Sequence, residues 1–243
     1  MTGRFRERLY GAYYSTTFAR ANPATDADYR MRARILRQVL LPHLPASRDA
    51  RLLDLACGNG YAVHMLREAG YTNVRGVDLS GEQVALARRR GLPVEEGDAF
   101  RTLEGESASC DAILALDFIE HLDRDELLAF FDLARKALRP GGRLVVKTAN
   151  ANSPIATRLR WGDLTHEQLF TENSLRAAFQ VCALKPLFIG GQRYRPFTVG
   201  GWARLAVASV GRWLWGMYLI ADLGREGVGV PTEFDLVGVA EPA

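Results

Sequence analysis

The sequence is poor in the features that mark several large classes of protein. Its 243 residues contain only three cysteines, Cys57, Cys110 and Cys182, and their wide spacing excludes a disulfide framework and a zinc motif. Scattered cysteines are typical of a reducing compartment, so we expect a cytoplasmic protein. Residues 1–20 contain no uninterrupted apolar run. We therefore expect no secretory signal and expect this segment to remain in the mature protein.

An excess of one charge sign is also missing. The chain has 31 Lys and Arg against 28 Asp and Glu, a formal net charge of +3. Dedicated nucleic-acid binders usually carry a far more concentrated basic surface, so we expect no nucleic-acid partner. The shares of hydrophobic (48%) and charged (24%) residues are those of an ordinary globular protein with a sizeable core.

The chain divides into a helical N-terminal segment and a region of alternating patterns. Residues 1–44 lack strand patterns and place apolar residues at helical spacing before Pro42 and Pro45, which predicts a helical extension. Across residues 45–243 short apolar runs alternate with helical stretches, which predicts an α/β domain with a parallel sheet. The predicted strands are RLLDL, NVRGVDL, LPVEE, CDAILAL, GRLVVKT, KPLFIGG and EFDLVGVA, and the predicted helices span 61–69, 82–90, 123–138 and 172–181.

An apolar helix is predicted between the last two strands, at about 202–223. It is apolar nearly all round but is interrupted by Arg204 and Arg212, so we expect no transmembrane span. A helix of this kind is usually buried or lies in a subunit interface, which leaves a homodimer open. A contact with a membrane surface is the alternative.

The strongest local signal is a glycine turn after the first predicted strand. The run Leu52–Gly60 (LLDLACGNG) passes from a strand into a turn with Gly58 and Gly60 and then into a helix. Glycines at such a turn allow a ligand to approach the backbone closely. The turn alone does not separate a ligand site from a tight strand-to-helix connection.

Acidic residues after the next two strands sharpen this interpretation. Asp78 ends the second strand, where a carboxylate can accept both hydrogen bonds of a ribose diol. The run Glu96–Ala99, which contains Asp98, follows the third strand, where an acidic group can accept a proton from an adenine amino group. The glycine turn and the acidic residues at the ends of three strands thus predict one binding site for a nucleoside.

From Arg51 to Lys147 the sequence resembles the class I S-adenosylmethionine-dependent methyltransferases. LLDLACGNG resembles the family's first motif, with Ala56 where the family often has a glycine, Phe118–Leu122 (FIEHL) resembles its "EHL" signature, and RPGGRLVV resembles its turn after the helix. The resemblance implies a Rossmann-like fold with a seven-stranded, mostly parallel sheet and helices on both faces. It also implies S-adenosylmethionine as cofactor and S-adenosylhomocysteine as product.

The resemblance further implies which residues contact the cofactor. Asp78 would hold the ribose hydroxyls, Asp98 and Ala99 the adenine, and Leu116 and Asp117 would border the methionine portion. The implied cofactor site comprises Asp54, Ala56, Gly58, Gly60, Asp78, Leu79, Asp98, Ala99, Leu116 and Asp117.

Two rival functions stay open at this point. A nicotinamide-dependent oxidoreductase would set its pyrophosphate on a G-x-G-x-x-G turn, but the third glycine would fall on Val63. A sulfonium nucleoside has no phosphate to bind, so two glycines suffice and the acidic Asp54 is tolerable beside a cationic group. The second rival is a non-catalytic module that binds the cofactor.

A second informative stretch is the polar run Arg160–Thr171 (RWGDLTHEQLFT). Together with Tyr13 and Tyr14 it resembles methyltransferases of bacterial surface-polysaccharide and sugar-modifying pathways. This narrower resemblance implies O-methylation of a sugar or nucleotide-linked sugar, with N-, C-, carboxyl- or phosphate-O-methylation as alternatives. The acceptor would be a small polar molecule.

A sugar hydroxyl becomes a good nucleophile when a base removes its proton, and histidine is suited to that near neutral pH. His166 is the first candidate base, with Asp163 or Glu167 orienting its ring or acting on the hydroxyl. A capping role for His166 is the alternative. These three residues could also hold magnesium, but without a fourth obvious ligand we expect no metal site.

The remaining candidates concern acceptor binding. His121 lies just after the fourth strand and is expected to position the acceptor rather than act as the base. Arginines flank the presumed acceptor side and could bind a nucleoside diphosphate or form a solvated basic surface. Tyr13 and Tyr14 could cover the cofactor or pack the N-terminal helix. The candidate acceptor residues are Tyr13, Tyr14, His121, Arg158, Arg160 and Thr165, with Arg193 and Arg195 near them.

Overall fold

A computed structural model describes residues 24–243. Seven strands form one sheet in the order β3-β2-β1-β4-β5-β7-β6. Strands β1 to β5 are parallel, whereas β7 runs antiparallel to both β5 and β6. The strands are β1 (Leu52–Leu55), β2 (Val74–Asp78), β3 (Val94–Glu96), β4 (Cys110–Leu116), β5 (Leu138–Ala149), β6 (Leu184–Gly191) and β7 (Asp235–Pro242). The predicted seven-stranded, mostly parallel sheet is confirmed.

Helices cover both faces of this sheet. They are α1 (Asp26–Leu40), α2 (Tyr61–Glu68), α3 (Gly81–Arg89), α4 (Ala99–Glu104), α5 (Arg124–Ala137), α6 (Ala156–Gly162), α7 (Glu172–Val181) and α8 (Val199–Leu223). Three short 3-10 helices span Leu41–His43, Ile119–His121 and Gly224–Gly227. The short helices α4 and α6 were not among the predicted elements.

Alternation along the strands divides the core into two layers. Leu53 of β1 belongs to the same buried cluster as Phe130 of α5 and Phe179 of α7, on one face of the sheet. Leu52, its neighbour, packs on the other face with Met65 of α2. Because successive strand residues point to opposite faces, a strand buried on both sides reads as a continuous apolar run. This is why the strands were recognisable in the sequence.

The N-terminal helix α1 supports the turn after β1. Thr25 caps it, since the Thr25 side chain accepts the Asp28 N–H and the Asp28 carboxylate accepts the Thr25 N–H. The hydroxyl of the buried Tyr29 donates to the carbonyl of Asn59, and its ring centroid lies 4.5 Å from that of Tyr61. The described part of the predicted N-terminal extension is therefore helical and contacts the glycine turn.

Two local predictions need revision. The predicted turn at residues 139–142 lies inside β5, where the pairing with β4 shifts between Cys110 and Ala112, so the chain loops out of the ladder and continues in the same strand. Helix α8 does lie between β6 and β7, but none of its residues is buried. Burial within the described chain is therefore not why α8 is apolar.

The topology also determines where the connections emerge. The carboxyl ends of the parallel strands β1 to β5 share one edge of the sheet, and Ala149 near the end of β5 pairs with Asp235 at the start of β7. Gly191 at the end of β6 pairs with Leu236. The α8 insertion thus leaves and re-enters the sheet at this carboxyl edge. Among the described residues, we find no helix with the length and apolar character needed to cross a membrane.

Candidate active site

The turn between β1 and α2 adopts the backbone expected of a close ligand approach. Gly58 and Gly60 have φ of +56° and +80°, in the left-handed region. Ala56 has φ of +52° in the same region, which a side-chain-bearing residue occupies at a cost. The alanine therefore stands at a position whose conformation favours glycine, in agreement with the family pattern.

Asp78 at the end of β2 is the anchor of this turn. Its carboxylate accepts the Gly58 N–H at 2.7 Å and the Ser80 N–H at 2.8 Å. The side chain is almost fully buried, and this burial raises its pKa against the effect of those two hydrogen bonds. Asp78, the predicted ribose-binding residue, thus links the end of β2 to the turn that follows β1.

Asp54 in β1 lies in the same buried region. Its Oδ2 atom is buried without a hydrogen-bond partner, and burial together with the charge of Asp78 raises its pKa to about 8. A buried carboxyl of this kind is stabilised in its charged form by a nearby cation. The amino and sulfonium groups of S-adenosylmethionine would supply that charge.

Other polar atoms around the turn have no hydrogen-bond partner among the described residues. They are Nδ2 and Oδ1 of Asn59, the hydroxyl of Tyr61 and Oε1 of Gln83, all buried. Buried polar groups normally have hydrogen-bond partners, so a cluster of buried groups without partners indicates a missing ligand or water. Together with Asp54, these residues fit a polar nucleoside cofactor. Sequence reasoning missed Asn59 and Gln83, although an asparagine between two turn glycines was the available signal.

The remaining cofactor candidates lie at the same edge. Asp98 caps α4, because its Oδ1 accepts the Arg101 N–H at 2.9 Å, and Ala99 is the first residue of that helix. Leu79, just after β2, is 62% exposed, and Leu116 is the last residue of β4. The structure therefore gathers the predicted cofactor residues along the ends of β1 to β4.

Asp117 is held by a lysine that sequence reasoning did not assign. Its backbone φ is +53°, and its carboxylate pairs with Nζ of Lys147 on β5. Asp235 of β7 lies 3.4 Å from the same Nζ. Burial disfavours the charged lysine, but the two carboxylates outweigh it and raise the Lys147 pKa. This network ties the ends of β4, β5 and β7 together.

Glu120 of the EHL signature is a second residue without an earlier assignment. It is buried and accepts a hydrogen bond from Thr148 Oγ1 at 2.8 Å. Burial and the charge of Asp117 raise its pKa to about 8. Its backbone carbonyl accepts the N–H groups of Glu167 and Gln168. Glu120 therefore fixes the GDLTHE stretch against the end of β4.

Two histidines meet beside Glu120. The ring centroids of His121 and His166 lie 4.8 Å apart at 71°. Nδ1 of His166 lies 2.8 Å from the carbonyl of Leu159, and Nδ1 of His121 lies 3.2 Å from that of Thr165. A carbonyl only accepts hydrogen bonds, so each Nδ1 carries the hydrogen and each Nε2 carries the lone pair.

Burial makes the His121 ring a weaker base than a free histidine. Burial, followed by the neighbouring His166, lowers the His121 pKa to about 4. A group with that pKa is neutral at pH 7 and a weak base. A positioning role for His121 stays a prediction, and its low pKa makes it a poor candidate for the base.

The carboxylates next to His166 have other contacts. Asp163 Oδ1 accepts the Thr165 N–H at 2.9 Å and the Thr165 hydroxyl at 2.6 Å. Thr165 is buried, so its hydroxyl supports this turn. Glu167 is exposed and donates its backbone N–H to Glu120. The Leu159 carbonyl, rather than a carboxylate, is the bonded partner of the His166 ring.

The same region contains a possible metal-ligand set. Glu120, His121 and His166 each bring one ligand atom within 4.8 Å of the others. This set shares only His166 with the Asp163, His166 and Glu167 group considered from the sequence. Burial raises the Glu120 pKa to about 8, so a metal bound there would displace the carboxyl proton.

The basic candidates are placed around the neighbouring segment. Arg160 stacks over the ring of Trp161 at 4.5 Å, Arg158 is exposed on α6, and Arg193 pairs with Glu233 at 2.6 Å. Arg195 donates its N–H to Gln38 of α1. Tyr13 and Tyr14 lie outside the described residues.

Comparisons with known proteins agree with this geometry. A family model described as a methyltransferase domain matches residues 24–182. The ubiquinone biosynthesis O-methyltransferase of Idiomarina loihiensis is 28% identical over 165 residues, 60% of this chain and 66% of that protein. The 27-O-demethylrifamycin SV methyltransferase of Amycolatopsis mediterranei is 30% identical over 148 residues, 58% of this chain and 50% of that protein. The match thus spans two thirds or less of these relatives' length.

The fold is shared with a solved methyltransferase. A SAM-dependent methyltransferase from Archaeoglobus fulgidus is 18% identical, with a TM-score of 0.65 over 87% of this chain and 93% of that one. The family model covers more than half of the chain, and the carboxyl edge carries a cluster of buried polar atoms. The chain therefore belongs to the methyltransferase-domain family and has the class I fold of S-adenosylmethionine-dependent methyltransferases.

Proposed function

We propose that this enzyme methylates a hydroxyl oxygen of a small polar acceptor, foremost a sugar or nucleotide-linked sugar, with His166 as the base. The observation that carries the proposal is the His166 ring, half-buried beside the ends of β4 and β5, whose Nδ1–H is bonded to the Leu159 carbonyl. Its Nε2 lone pair is therefore the proton-accepting site. Arg158 and Arg160 would attract a phosphorylated carrier.

The cofactor and the chain have separate tasks in this scheme. When bound, S-adenosylmethionine supplies a methyl carbon on a positively charged sulfur, and S-adenosylhomocysteine is the product. Asp78 and the turn around Gly58 would hold the nucleoside, while Asp54 would face the cationic end. His166 would take the hydroxyl proton on Nε2, and Glu120, through its backbone contact with Glu167, would keep the histidine segment in place.

The relatives favour a second acceptor class. One is named for O-methylation in ubiquinone biosynthesis and the other for 27-O-demethylrifamycin SV. Both names describe oxygen as the methylated atom, which agrees with a hydroxyl acceptor but not with a sugar in particular. An aromatic or polyketide hydroxyl is therefore the second candidate.

The test is a turnover assay with S-adenosylmethionine and three acceptor panels: nucleotide sugars, simple glycosides and phenols. Mass spectrometry identifies S-adenosylhomocysteine and the methylated atom. We expect transfer to a hydroxyl, and His166→Gln should lower turnover by roughly 10²–10⁴-fold, as loss of a general base does. His43→Gln, on the Leu41–His43 turn, is the matched control and should retain turnover.

Two results would contradict the proposal. Full turnover by His166→Gln, Asp163→Asn and Glu167→Gln would remove the base from this segment. Loss of turnover on chelation, restored by added Mg²⁺, would replace the base with a metal bound by Glu120, His121 and His166.

A further inference from the structure

Helix α8 presents an apolar face to solvent along its whole length. Its 25 residues correspond to about 37 Å, and none of them is buried among the described residues. The half-buried positions repeat on one side of the helix, namely Gly201, Leu205, Arg212, Trp215, Gly216 and Leu219. This side faces the protein.

Contacts confirm which side of α8 is attached. Trp215 Nε1 donates to the Asn152 carbonyl at 2.8 Å, so α8 is held against the segment that follows β5. A Cβ on Gly227 would lie 2.4 Å from the Leu219 carbonyl oxygen, so the turn after α8 packs closely against that helix. The orientation of the helix is therefore set by specific contacts.

The opposite side carries no charged residue. Residues at spacings of three and four define this outward face, which consists of Val199, Trp202, Ala203, Ala206, Val207, Val210, Trp213, Leu214, Met217 and Ile220. Val210 is 60% exposed and Trp213 is 63% exposed. The charged residues Arg204, Arg212 and Asp222 all lie at other angles around the helix. An apolar face of this length on one helix needs an occupant.

The charge of the surrounding segment identifies that occupant. The whole connection between β6 and β7, residues 192–234, contains five arginines and three carboxylates, a net charge of +2 in a chain of net charge +3. One of these arginines, Arg193, pairs with Glu233 of the same connection. An apolar face with tryptophans on a connection of net positive charge matches an anionic bilayer surface, because acyl chains accept the apolar face and lipid phosphates bind arginines.

We propose that α8 lies in the interface of an anionic phospholipid bilayer. The helix leaves the sheet between β6 and β7, at the carboxyl edge that also carries Asp54, Asp78 and His166. Docking by α8 therefore brings the edge with the active site to the membrane surface. In combination with the proposed function, on which this extension rests, the acceptor would be a polar head carried on a lipid.

Vesicle binding tests the docking without any assay of turnover. The full chain is sedimented with vesicles of phosphatidylcholine alone or mixed with phosphatidylglycerol. Binding is expected to the mixed vesicles, to be weaker with phosphatidylcholine alone and to fall with added salt. Val210→Glu, on the outward face, should weaken binding roughly tenfold or more, since it replaces an inserted apolar group with a repelled charge.

Val181→Glu is the matched control. Val181 is a valine at the end of α7 that is 74% exposed, so the same change of charge away from α8 should leave vesicle binding intact. Circular dichroism verifies that both variants are folded.

Three results would overturn the proposal. One is no binding of the folded wild type to mixed vesicles, and another is equal loss in the two variants. The third is a dimer, seen by sedimentation velocity without vesicles, that Val210→Glu converts to monomer, since a second copy would then cover the face. Vesicle binding that persists while the acceptor panels show no hydroxyl methylation would leave the docking intact and refute only the proposed function.

Discussion

The two halves of the carboxyl edge of the sheet differ in how their buried polar groups are paired. At the ends of β1 and β2, short connections bury polar atoms that have no protein partner, among them Asp54 Oδ2 and both amide atoms of Asn59. At the ends of β4 and β5 the polar side chains have protein partners, since Thr148 donates to Glu120 and Lys147 pairs with Asp117. The segment that follows carries the half-buried His166. The first half holds the residues assigned to the cofactor, whereas the second supports the segment proposed to bind the acceptor.

The largest effect that would test this contrast is loss of the Asp78 carboxylate. Asp78→Ala removes the acceptor for the Gly58 and Ser80 N–H groups and for a ribose diol. Charged hydrogen bonds contribute about 1.5–3 kcal/mol each, so the affinity for S-adenosylhomocysteine should fall by roughly 100-fold or more in a calorimetric titration. Glu95→Ala, an exposed carboxylate on β3, should bind normally. An unchanged affinity of Asp78→Ala would refute the ribose assignment.

The sequence predicted the first half of the edge far better than the second. Short connections follow β1, β2 and β3, so their motifs lie next to recognisable strands, as Asp78 shows. The predicted helix 172–181 was also confirmed, because the Thr171 capping box and its apolar spacing are local signals. By contrast, the partner of His166 is the carbonyl of Leu159, which depends on tertiary packing that no local pattern reveals.

For helix α8, too, the local sequence does not determine the tertiary contacts. Its sequence is apolar nearly all round, a pattern that predicts burial or a subunit interface, yet none of its residues is buried within the described chain. Apolar composition does not determine which side of a helix meets the protein. The Trp215 contact with Asn152 determines it, and this contact joins distant parts of the chain.

A second effect concerns the free energy of unfolding, which depends on the protonation of the buried Asp54. Its folded pKa of about 8 exceeds the usual value of ~3.9, so the native state holds a proton that the unfolded state has lost. The contribution of the protonated Asp54 to the free energy of unfolding is fully present below the unfolded pKa of ~3.9. It is lost as the pH rises to the folded pKa of about 8. Between pH 5 and pH 8 the group should lower the free energy of unfolding by ~1.4 kcal/mol per pH unit.

Asp54→Asn removes the contribution of this carboxyl group to the pH dependence of the free energy of unfolding. Urea unfolding at several pH values should show a flatter stability profile for the variant, while S-adenosylmethionine binding becomes weaker. Asp132→Asn, an exposed site on α5, should keep the wild-type slope. If Asp54→Asn were also to retain full cofactor affinity, the carboxylate would have no role beside the cationic end of the cofactor.

The smallest expected effect is at Ala56. Ala56→Gly relieves the left-handed backbone at φ +52°, which costs an L-residue roughly 1–2 kcal/mol, but adds the ~0.5–1 kcal/mol entropy cost of glycine. We expect a rise in unfolding free energy of less than about 1 kcal/mol. Ala183→Gly, at φ +51° away from the site, should show a similar rise in thermal melts. A clear loss of stability in Ala56→Gly alone would show that the methyl group packs usefully in the turn.

The most direct test of the division between the two halves is a calorimetric titration of His166→Gln with S-adenosylhomocysteine. We expect wild-type affinity, because His166 is proposed to act on the acceptor and contacts the Leu159 carbonyl rather than the glycine turn. A loss of affinity as large as that of Asp78→Ala would contradict it, since cofactor binding would then depend on the segment assigned to the acceptor.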